Sequence, residues 1–408
     1  MSRVVVVGGG ASGLVAAIHA ARNKNQVTII ERNNTCGKKI LITGNGRCNY
    51  WNEDQNIHHY HSSSPDVLSK IITTENKNIV LDFFQSIGII PKISKGYYYP
   101  YSNIAASIQY ALRKEAEVEG VIFIENVVID SIEKEGNQFI MNPGKEHFIC
   151  DKVVLATGSK ACPKTGSDGI GYDLAKRFGH TIIPVLPALV QLKGDGNYFK
   201  LWNGIRTYAT LTLYEDEKYC KEESGELQLT EYGISGICVF NLSRFVSRGL
   251  YQSKKETIKI NFIPWFRGNM QELIEWMNQR NQTMINRKLY ELLEGFLHYK
   301  LVDVLLKISN INKQKSWIQL TDKEKKILVK LILSFSLEIV GTNSFDKAQV
   351  CSGGVSLEEI NPITMESKKM KGLYIVGELL DVDGDCGGYN LGFAWISGMI
   401  AGRGVKSD

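Results

Sequence analysis

The sequence lacks the marks of a membrane protein and of a secreted one. No apolar run approaches the roughly 18 residues that a membrane-spanning helix needs. The first apolar run, Val4–Val7, is too short for a secretory signal and leads straight into glycines. We therefore expect no membrane association.

An excess of one charge is also missing. The sequence has 48 Lys and Arg against 43 Asp and Glu, and the resulting net charge of +5 is scattered without blocks. Nucleic-acid binding usually leaves a basic patch or stripe in a sequence. We therefore expect a small-molecule substrate rather than a nucleic-acid partner, and the sequence leaves the oligomeric state open.

The eight cysteines lack the spacings of known cysteine chemistry. None forms CxxC or CxxxxC, so we expect reduced thiols and a cytoplasmic location. Cys36 and Cys48 lie 12 residues apart, which is not the spacing of dithiol reductases. His, Cys and Asp also show no metal-ligand spacing, so we expect no metal.

The N-terminal segment carries a dinucleotide-binding fingerprint. The β-branched run Arg3–Val7 is typical of a strand buried on both faces. Gly8–Gly13 satisfies G-x-G-x-x-G and opens an apolar helical pattern. A second apolar strand, Gln26–Ile30, ends at Glu31. Strand, turn, helix, strand and acid therefore occur in the order of a Rossmann-type βαβ unit.

Each residue of this fingerprint has a physical role. Gly8 permits the tight turn, Gly10 lets the backbone approach a pyrophosphate, and Gly13 lets the helix pack on the strand. The helix N-terminus offers free N–H groups and a positive dipole end to the phosphates. Glu31 lies 18 residues after Gly13, where an acid accepts from the adenosine ribose hydroxyls.

Three further segments favour FAD over NAD. Lys152–Gly158 and Gly372–Glu378 are apolar strands that end in small-residue turns, and the second delivers an acid suited to the ribityl hydroxyls. Gly387–Leu391 precedes an Ala- and Gly-rich helix, Ala394–Ala401. The N-terminus of that helix is predicted to stabilise negative charge at the flavin pyrimidine.

These segments together resemble the BaiN-like (YhiN-like) family of bacterial flavoproteins, which are also labelled NAD(P)/FAD-dependent or aminoacetone-oxidase-family oxidoreductases. The similarity runs from end to end of the chain. Its most specific stretches are Gly37–Asn49, Gly96–Ser102, Gly353–Val355, Thr364–Lys368 and Gly377–Gly384. The resemblance implies an FAD-dependent oxidoreductase with Arg47–Asn49 near the isoalloxazine ring.

The chain departs from the family pattern at several positions. Trp51 precedes Asn52 where the family has Thr-Asn, and Ser159 replaces a glycine. Glu231 and Ile237 stand where relatives carry His and Pro. A substrate therefore does not transfer from the relatives by resemblance alone.

The fingerprint and the resemblance together predict the FAD contacts. They are Gly8, Gly10, Ala11, Ser12, Gly13, Glu31, Arg32, Lys38, Lys39, Gly44, Gly46, Arg47, Cys48, Asn49, Val127, Ala156, Thr157, Gly158, Gly377, Glu378, Gly388, Tyr389, Asn390 and Leu391.

The candidate catalytic residues are Arg47, Cys48 and Tyr99. Arg47 could hold an anionic or carbonyl substrate or the pyrophosphate. Cys48 is interpreted either as a redox thiol or as a small buried residue that packs on the flavin, and the spacing favours the second interpretation. Tyr97, Tyr99 and Tyr101 alternate, and they fit either a flat substrate site or a half-buried sheet surface.

The predicted fold is α/β, with a discontinuous Rossmann-type FAD-binding domain that receives two insertions. The FAD-binding domain is expected at 1–189 and 344–408. Residues 190–262 read as short strands and predict a β-barrel-like domain. Residues 263–343 form a predicted helical domain, in which Thr321 and Glu324 make a capping box.

Three functions remain compatible with this sequence. The first is NAD(P)H-dependent reduction of a planar conjugated carbonyl compound, and the second is oxidation of a small amine by oxygen. The third is a non-enzymatic FAD-binding or RNA-acting role. No second G-x-G-x-x-G follows a strand, so NADH or NADPH is expected to dock transiently at the flavin.

Overall fold

The computed structural model describes residues 1–142, 147–285 and 287–406. The chain forms two compact units, one of residues 1–186 and 348–408 and the other of residues 187–347. None of the helices in these described ranges is both long and apolar enough to cross a membrane.

A five-stranded parallel sheet forms the centre of the first unit. Its strands are β1 (Arg3–Val7), β2 (Gln26–Glu31), β7 (Ile122–Glu125), β11 (Lys152–Leu155) and β20 (Leu373–Ile375). They lie in the order β20-β11-β1-β2-β7, with Val5 beside both Thr28 and Val153. β1 is therefore the central strand, and the turn that follows it lies between the ends of β2 and β11.

Smaller sheets complete the first unit. β8 (Ile132–Glu135), β9 (Gln138–Met141) and β10 (Phe148–Cys150) form an antiparallel meander. The remaining strands are β3 (Trp51–Asn52), β4 (Tyr60–His61), β5 (Pro91–Ser94), β6 (Tyr97–Pro100), β12 (Ile182–Ala188), β19 (Val350–Val355) and β21 (Asp383–Gly384). β6 lies between β3 and β5, β4 pairs with β21, and β12 pairs with β19.

The helices of the first unit are α1 (Ala11–Arg22), α2 (Pro65–Ile71), α3 (Thr74–Ser86), α4 (Ala105–Val118), α5 (Ile170–Arg177) and α12 (Tyr389–Gly404). Two of them, α1 and α12, pack closely because small residues line their contact. A Cβ atom on Gly398 would lie 2.5 Å from the Ser12 carbonyl oxygen, and one on Gly402 would lie 2.5 Å from that of Ala16. α12 therefore lies directly against α1.

The second unit is built on a closed six-stranded barrel. Its strands are β13 (Leu192–Gly194), β14 (Arg206–Glu215), β15 (Lys218–Thr230), β16 (Gly233–Ser235), β17 (Glu256–Asn261) and β18 (Phe335–Thr342). They close in the order β13-β16-β15-β14-β17-β18. β18 lies near the end of the segment that the sequence predicts as helical, so the barrel is completed by a strand from beyond the helices.

Helices cover this barrel and share its apolar core. They are α6 (Phe199–Trp202), α7 (Ile237–Tyr251), α8 (Met270–Thr283), α9 (Leu289–Glu294), α10 (Tyr299–Ile308) and α11 (Asp322–Leu333). α11 begins with the predicted capping box between Thr321 and Glu324. One core joins strand residues such as Leu211 and Ile258 to helix residues such as Leu292 and Val329. The division of the insertion at residue 262 stays a prediction.

The predicted fold class is confirmed, and one local prediction needs correction. His180 lies before β12, which starts at Ile182. The His180 ring is buried and bonds to Glu359 and Ser367 at 3.0 and 2.7 Å. Tyr97 and Tyr99 lie on β6 as expected, but Tyr101 lies beyond the end of that strand and is 71% exposed.

Candidate functional site

The turn from β1 to α1 has the shape of a phosphate cradle. Gly8 has φ +101°, and its N–H donates to the Ile30 carbonyl at 2.8 Å. A Cβ on Gly13 would lie 2.0 Å from the Gly8 carbonyl oxygen, whereas one on Gly10 would meet no described atom within 4 Å. Gly10, the N-cap residue, has no side chain that could occupy the free N–H groups of the first turn. The turn is therefore closed on the side of Gly13 and open on the side of Gly10.

Glu31 is held at the end of β2 with its carboxylate oriented. Oε2 accepts from the Gly9 N–H at 2.8 Å, and Oε1 accepts from the Asn33 N–H at 2.8 Å and from its side-chain amide at 2.7 Å. The residue is 7% exposed. A carboxylate oxygen has two acceptor sites, so this arrangement fixes the group and leaves one site, on Oε2, for a ribose hydroxyl.

The segment after β2 is fixed by contacts with residues 163–168. Arg32 Nη1 lies 2.5 Å from an Asp168 oxygen and donates to the Gly166 carbonyl at 3.1 Å. Lys38 Nζ donates to Asn33 at 3.4 Å, and the Val127 N–H donates to the Glu31 carbonyl at 3.0 Å. The structure thus brings Arg32, Lys38 and Val127 together around Glu31.

A second carboxylate meets a lysine at the end of β20. Lys39 Nζ lies 2.6 Å from Glu378 Oε2, which also accepts from the Ser159 hydroxyl at 3.1 Å. The lysine comes from the glycine-rich segment after β2, and the serine follows β11. Glu378 is therefore held by two segments that are distant from it in the sequence.

The small residues after β11 and β20 lie close to α1. Ala156 is buried, and Gly158 has φ +72°. The Thr157 Oγ1 atom is buried and has no hydrogen-bond partner among the described residues. A Cβ on Gly377 would lie 2.4 Å from Ser12 Oγ. The Thr157 hydroxyl lies against the start of α5, since a Cβ on Gly171 would lie 1.9 Å from it.

Residues 43–48 form an irregular loop that depends on left-handed backbone conformations. Gly44, Asn45, Gly46 and Cys48 all have φ between +54° and +80°. A Cβ on Gly46 would meet no described atom within 4 Å. The loop therefore exposes its glycine edge while it turns Cys48 inward.

Cys48 and Arg47 point to opposite environments. Cys48 is fully buried, and burial raises the pKa of its thiol to about 12. Arg47 is exposed, and its guanidinium carbon lies 5.0 Å from the centre of the Tyr99 ring. The structure thus favours packing over thiol chemistry for Cys48, and it brings two of the three catalytic candidates together.

The N-terminus of α12 is held in place by its own residues. Asn390 accepts from the Gly384 N–H at 2.8 Å and donates to the Gly384 carbonyl at 2.8 Å. Gly388, at φ +97°, is the N-cap, and a Cβ there would lie 2.8 Å from the Trp51 carbonyl. Tyr389 is buried, and Leu391 is partly buried. The uncharged first turn therefore presents a fixed set of N–H groups.

A cluster that the sequence analysis missed lies beside this helix end. His59 and His61 both bond to Asp385, at 3.1 Å each, and His59 also lies 3.2 Å from Asp54. Asp385 lies more than 320 residues from both histidines in the sequence. Pairing of β4 with β21 creates the cluster, and no spacing of neighbouring residues in the sequence predicts such a pairing.

The arrangement in the first unit fits FAD. The open side of Gly10 leaves room for a pyrophosphate, and two oriented carboxylates provide acceptors for two sets of sugar hydroxyls. The N-terminus of α12 provides N–H groups for a charged ring edge.

Comparison with known proteins agrees with this arrangement. A family model described as the HI0933-like protein Rossmann domain matches residues 2–404. A 3-dehydro-bile acid delta(4,6)-reductase of Clostridium scindens is 40% identical over 405 residues, which cover 99% of this chain and 98% of that protein.

Two further relatives are more distant. Ribosomal RNA dihydrouridine synthases of Haemophilus influenzae and Escherichia coli are each 27% identical. The first match covers 97% of this chain and 96% of its relative, and the second covers 96% and 95%. From the match over nearly its whole length, the chain belongs to the HI0933-like Rossmann-domain family of FAD-binding flavoproteins and is an FAD-dependent oxidoreductase.

Proposed function

We propose that this enzyme reduces a carbon–carbon double bond conjugated to a carbonyl group in a planar small molecule, with NADH or NADPH as the electron donor. The observation that carries the proposal is the 40% identity, over 99% of the chain, to a 3-dehydro-bile acid delta(4,6)-reductase. The name of that relative describes a 3-oxo compound with double bonds at positions 4 and 6, which is an extended enone.

The residues at the site support a division of roles. Bound FAD supplies hydride transfer. Gly8–Gly13 would bind the pyrophosphate, Glu31 and Glu378 would bind sugar hydroxyls, and the N-terminus of α12 would stabilise negative charge on the pyrimidine. The other predicted contacts would line the same site.

Arg47 and Tyr99 are the candidates for substrate binding. Arg47 is exposed and lies over the Tyr99 ring, so it combines a carbonyl-binding cation with a flat apolar surface. Since the Cys48 thiol is buried and protonated at neutral pH, we assign it a packing role.

The direct test is anaerobic stopped-flow spectroscopy of the purified yellow protein. NADH or NADPH should bleach the flavin, and a steroid 3-oxo-4,6-diene should restore its colour.

Because the chain has only one G-x-G-x-x-G after a strand, donor and substrate should compete at the flavin and give ping-pong kinetics. A sequential mechanism would reveal a separate nicotinamide site. Failure of both nicotinamides together with bleaching by a small amine would overturn the proposal in favour of an oxidase.

Arg47→Gln tests the substrate role of the guanidinium. We expect KM for the dienone to rise roughly tenfold, because a charge-assisted hydrogen bond contributes about 1.5–3 kcal/mol. KM is measured on protein fully loaded with FAD. Lys92→Gln is the matched control, since Lys92 is exposed and lies opposite Tyr99 on β5. Equal KM values in the two variants would contradict the role of Arg47.

A second candidate function follows from the two dihydrouridine synthases at 27% identity. The C5=C6 bond of uracil is also conjugated to a carbonyl, so the same flavin chemistry would reduce it. Deletion of the gene followed by mass spectrometry of ribosomal RNA would test this alternative. Loss of a dihydrouridine would favour RNA over a small molecule, and the expected result is no change.

A further inference from the structure

The side chain of Tyr97 has a free hydroxyl on the face of β6 that also carries Tyr99. Successive residues of a strand point to opposite faces, so Tyr97 and Tyr99 share one face while Tyr98 lies on the other. Tyr97 is partly buried, and its hydroxyl has no hydrogen-bond partner among the described residues. A phenol can both donate and accept, so this hydroxyl is available to a ligand.

Pairing of β6 with β3 fixes the Tyr97 ring at the start of α12. Tyr97 lies beside Asn52 in the register of the two strands, and the Asn52 amide donates to the Gly387 carbonyl at 2.9 Å. A Cβ on Gly387 would lie 2.9 Å from the Tyr97 ring and 3.1 Å from the Tyr389 ring. The phenol therefore lies at the helix end that we assign to the flavin pyrimidine.

A cationic side chain reaches the same face of β6 from the loop at residues 43–48. The Arg47 guanidinium carbon lies 5.0 Å from the centre of the Tyr99 ring, two residues along the strand from Tyr97. Two residues of a strand span roughly 7 Å, a separation that the long side chains of Tyr97 and Arg47 can bridge. One small molecule on this face can therefore contact the phenol and the cation together.

Reduction of an enone needs a proton as well as a hydride. The hydride forms a C–H bond at the far carbon of the double bond, and an electron pair moves onto the carbonyl oxygen. A proton must then reach the carbon beside the carbonyl, and a tyrosine can supply it only while its phenol is protonated. Burial first, and then the neighbouring Tyr99 and Cys386, raise the pKa of Tyr97, so the phenol keeps its proton at neutral pH.

We propose that Tyr97 is the general acid that donates its hydroxyl proton to the carbon beside the carbonyl, while Arg47 holds the carbonyl oxygen as that oxygen gains negative charge. The phenolate then takes a proton from water, which restores the residue for the next turnover. The inference rests on the proposed enone reduction and deepens it, because it names a catalytic residue for the proton.

The test compares Tyr97→Phe with wild type in the two half-reactions, each followed anaerobically by stopped-flow absorbance of the holoprotein. The variant keeps the ring beside Gly387 and loses only the hydroxyl. Reduction of the flavin by NADH or NADPH should be unchanged, and re-oxidation by the steroid 3-oxo-4,6-diene should slow by at least about 100-fold. Tyr98→Phe is the matched control, because its hydroxyl lies on the opposite face of the same strand.

Binding without turnover separates proton donation from a role in holding the substrate. A saturated 3-oxo steroid, which has no double bond to reduce, is titrated into the oxidised holoprotein and followed by the change in flavin absorbance. We expect equal Kd values for Tyr97→Phe and wild type. A Kd that rises about as much as the re-oxidation rate falls would overturn proton donation in favour of substrate binding.

The remaining outcomes separate this inference from the proposed function. Wild-type holoprotein that does not react with the dienone would overturn the proposed function and the inference with it. Re-oxidation of Tyr97→Phe at the wild-type rate would overturn the inference alone. Loss of FAD from Tyr97→Phe would show that the hydroxyl is needed for the cofactor, and it would also overturn the inference alone.

Discussion

At the scale of single residues, two glycines of one turn have separable roles. Gly10→Ala should leave the melting temperature of the apoprotein unchanged, because its Cβ would meet no described atom within 4 Å. The methyl group would occupy the space for the pyrophosphate, so the Kd for FAD should rise at least about tenfold.

Gly13→Ala should give the opposite result. Its Cβ would lie 2.0 Å from the Gly8 carbonyl oxygen, so α1 must move away from β1 and the apoprotein should melt at a lower temperature. Differential scanning fluorimetry and FAD titration of both variants check the pair. Equal melting temperatures would show that the turn tolerates the methyl group at either position.

Glu256 should make the stability of the barrel unit depend on pH. It is 1% exposed, and neither carboxylate oxygen has a partner among the described residues. Burial is the main cause that raises its pKa to about 8, and the charges of Glu215 and Asp216 raise it further. The charge of Lys254 lowers this pKa and only partly offsets the increase. Its contribution to stability is complete below the usual pKa of a glutamate and is lost as the pH rises to about 8.

Glu256→Gln removes this titration. One pKa unit corresponds to about 1.4 kcal/mol, so the variant should gain ~2–4 kcal/mol relative to wild type between pH 5 and pH 8.5. Urea unfolding at several pH values measures the change. Glu338→Gln on the neighbouring strand is the control, since Glu338 is an exposed partner of Lys255. Parallel pH profiles for all three proteins would refute the buried, protonated state.

At the scale of elements, the contact between α1 and α12 depends on two glycines. Gly402→Ala places a Cβ 2.5 Å from the Ala16 carbonyl oxygen and 2.6 Å from His19 Cβ. Ala favours helices by ~1 kcal/mol over Gly, but overpacking costs about 1–3 kcal/mol and both helix ends would shift. Chemical denaturation should show a net loss of stability together with weaker FAD binding. Arg403→Ala, at the exposed position beside it, should change neither quantity.

Elements with local signals could be predicted from the sequence, and those that depend on distant pairing could not. The strand–turn–helix unit at 3–31 and the capping box of α11 are formed by neighbouring residues. β18 alternates between buried and exposed residues but follows a long helical segment, so its pairing with β13 and β17 was not evident. In the sequence, Glu256 looks like an ordinary charged residue of a strand, because its burial depends on closure of the barrel.

The candidate site also contains contacts that the local sequence predicts and contacts that depend on distant residues. Gly8–Gly13 and Glu31 lie where the fingerprint predicts. The ion pair of Lys39 with Glu378 was predicted only as two separate contacts, because the partners lie 339 residues apart. The His59–Asp385 cluster has no sequence signal for the same reason. Roles at FAD for the individual residues stay predictions.

At the scale of the whole molecule, two separate cores predict two unfolding events. One core contains residues of the first unit only, and the other contains residues of the second unit only. FAD contacts are proposed on the first unit, and a ligand raises the stability of the unit that binds it. Calorimetry should show two transitions, of which added FAD raises one. A single transition that shifts as a whole would show that the units unfold together.

The burial of two thiols has a consequence for how the protein responds to oxidation. Hydrogen peroxide attacks thiolates and spares protonated, shielded thiols. Burial raises the pKa of both Cys36 and Cys48, which flank the glycine-rich loop, to about 12. Added peroxide should therefore leave Cys36 and Cys48 without sulfenic acid, which mass spectrometry of the treated protein checks.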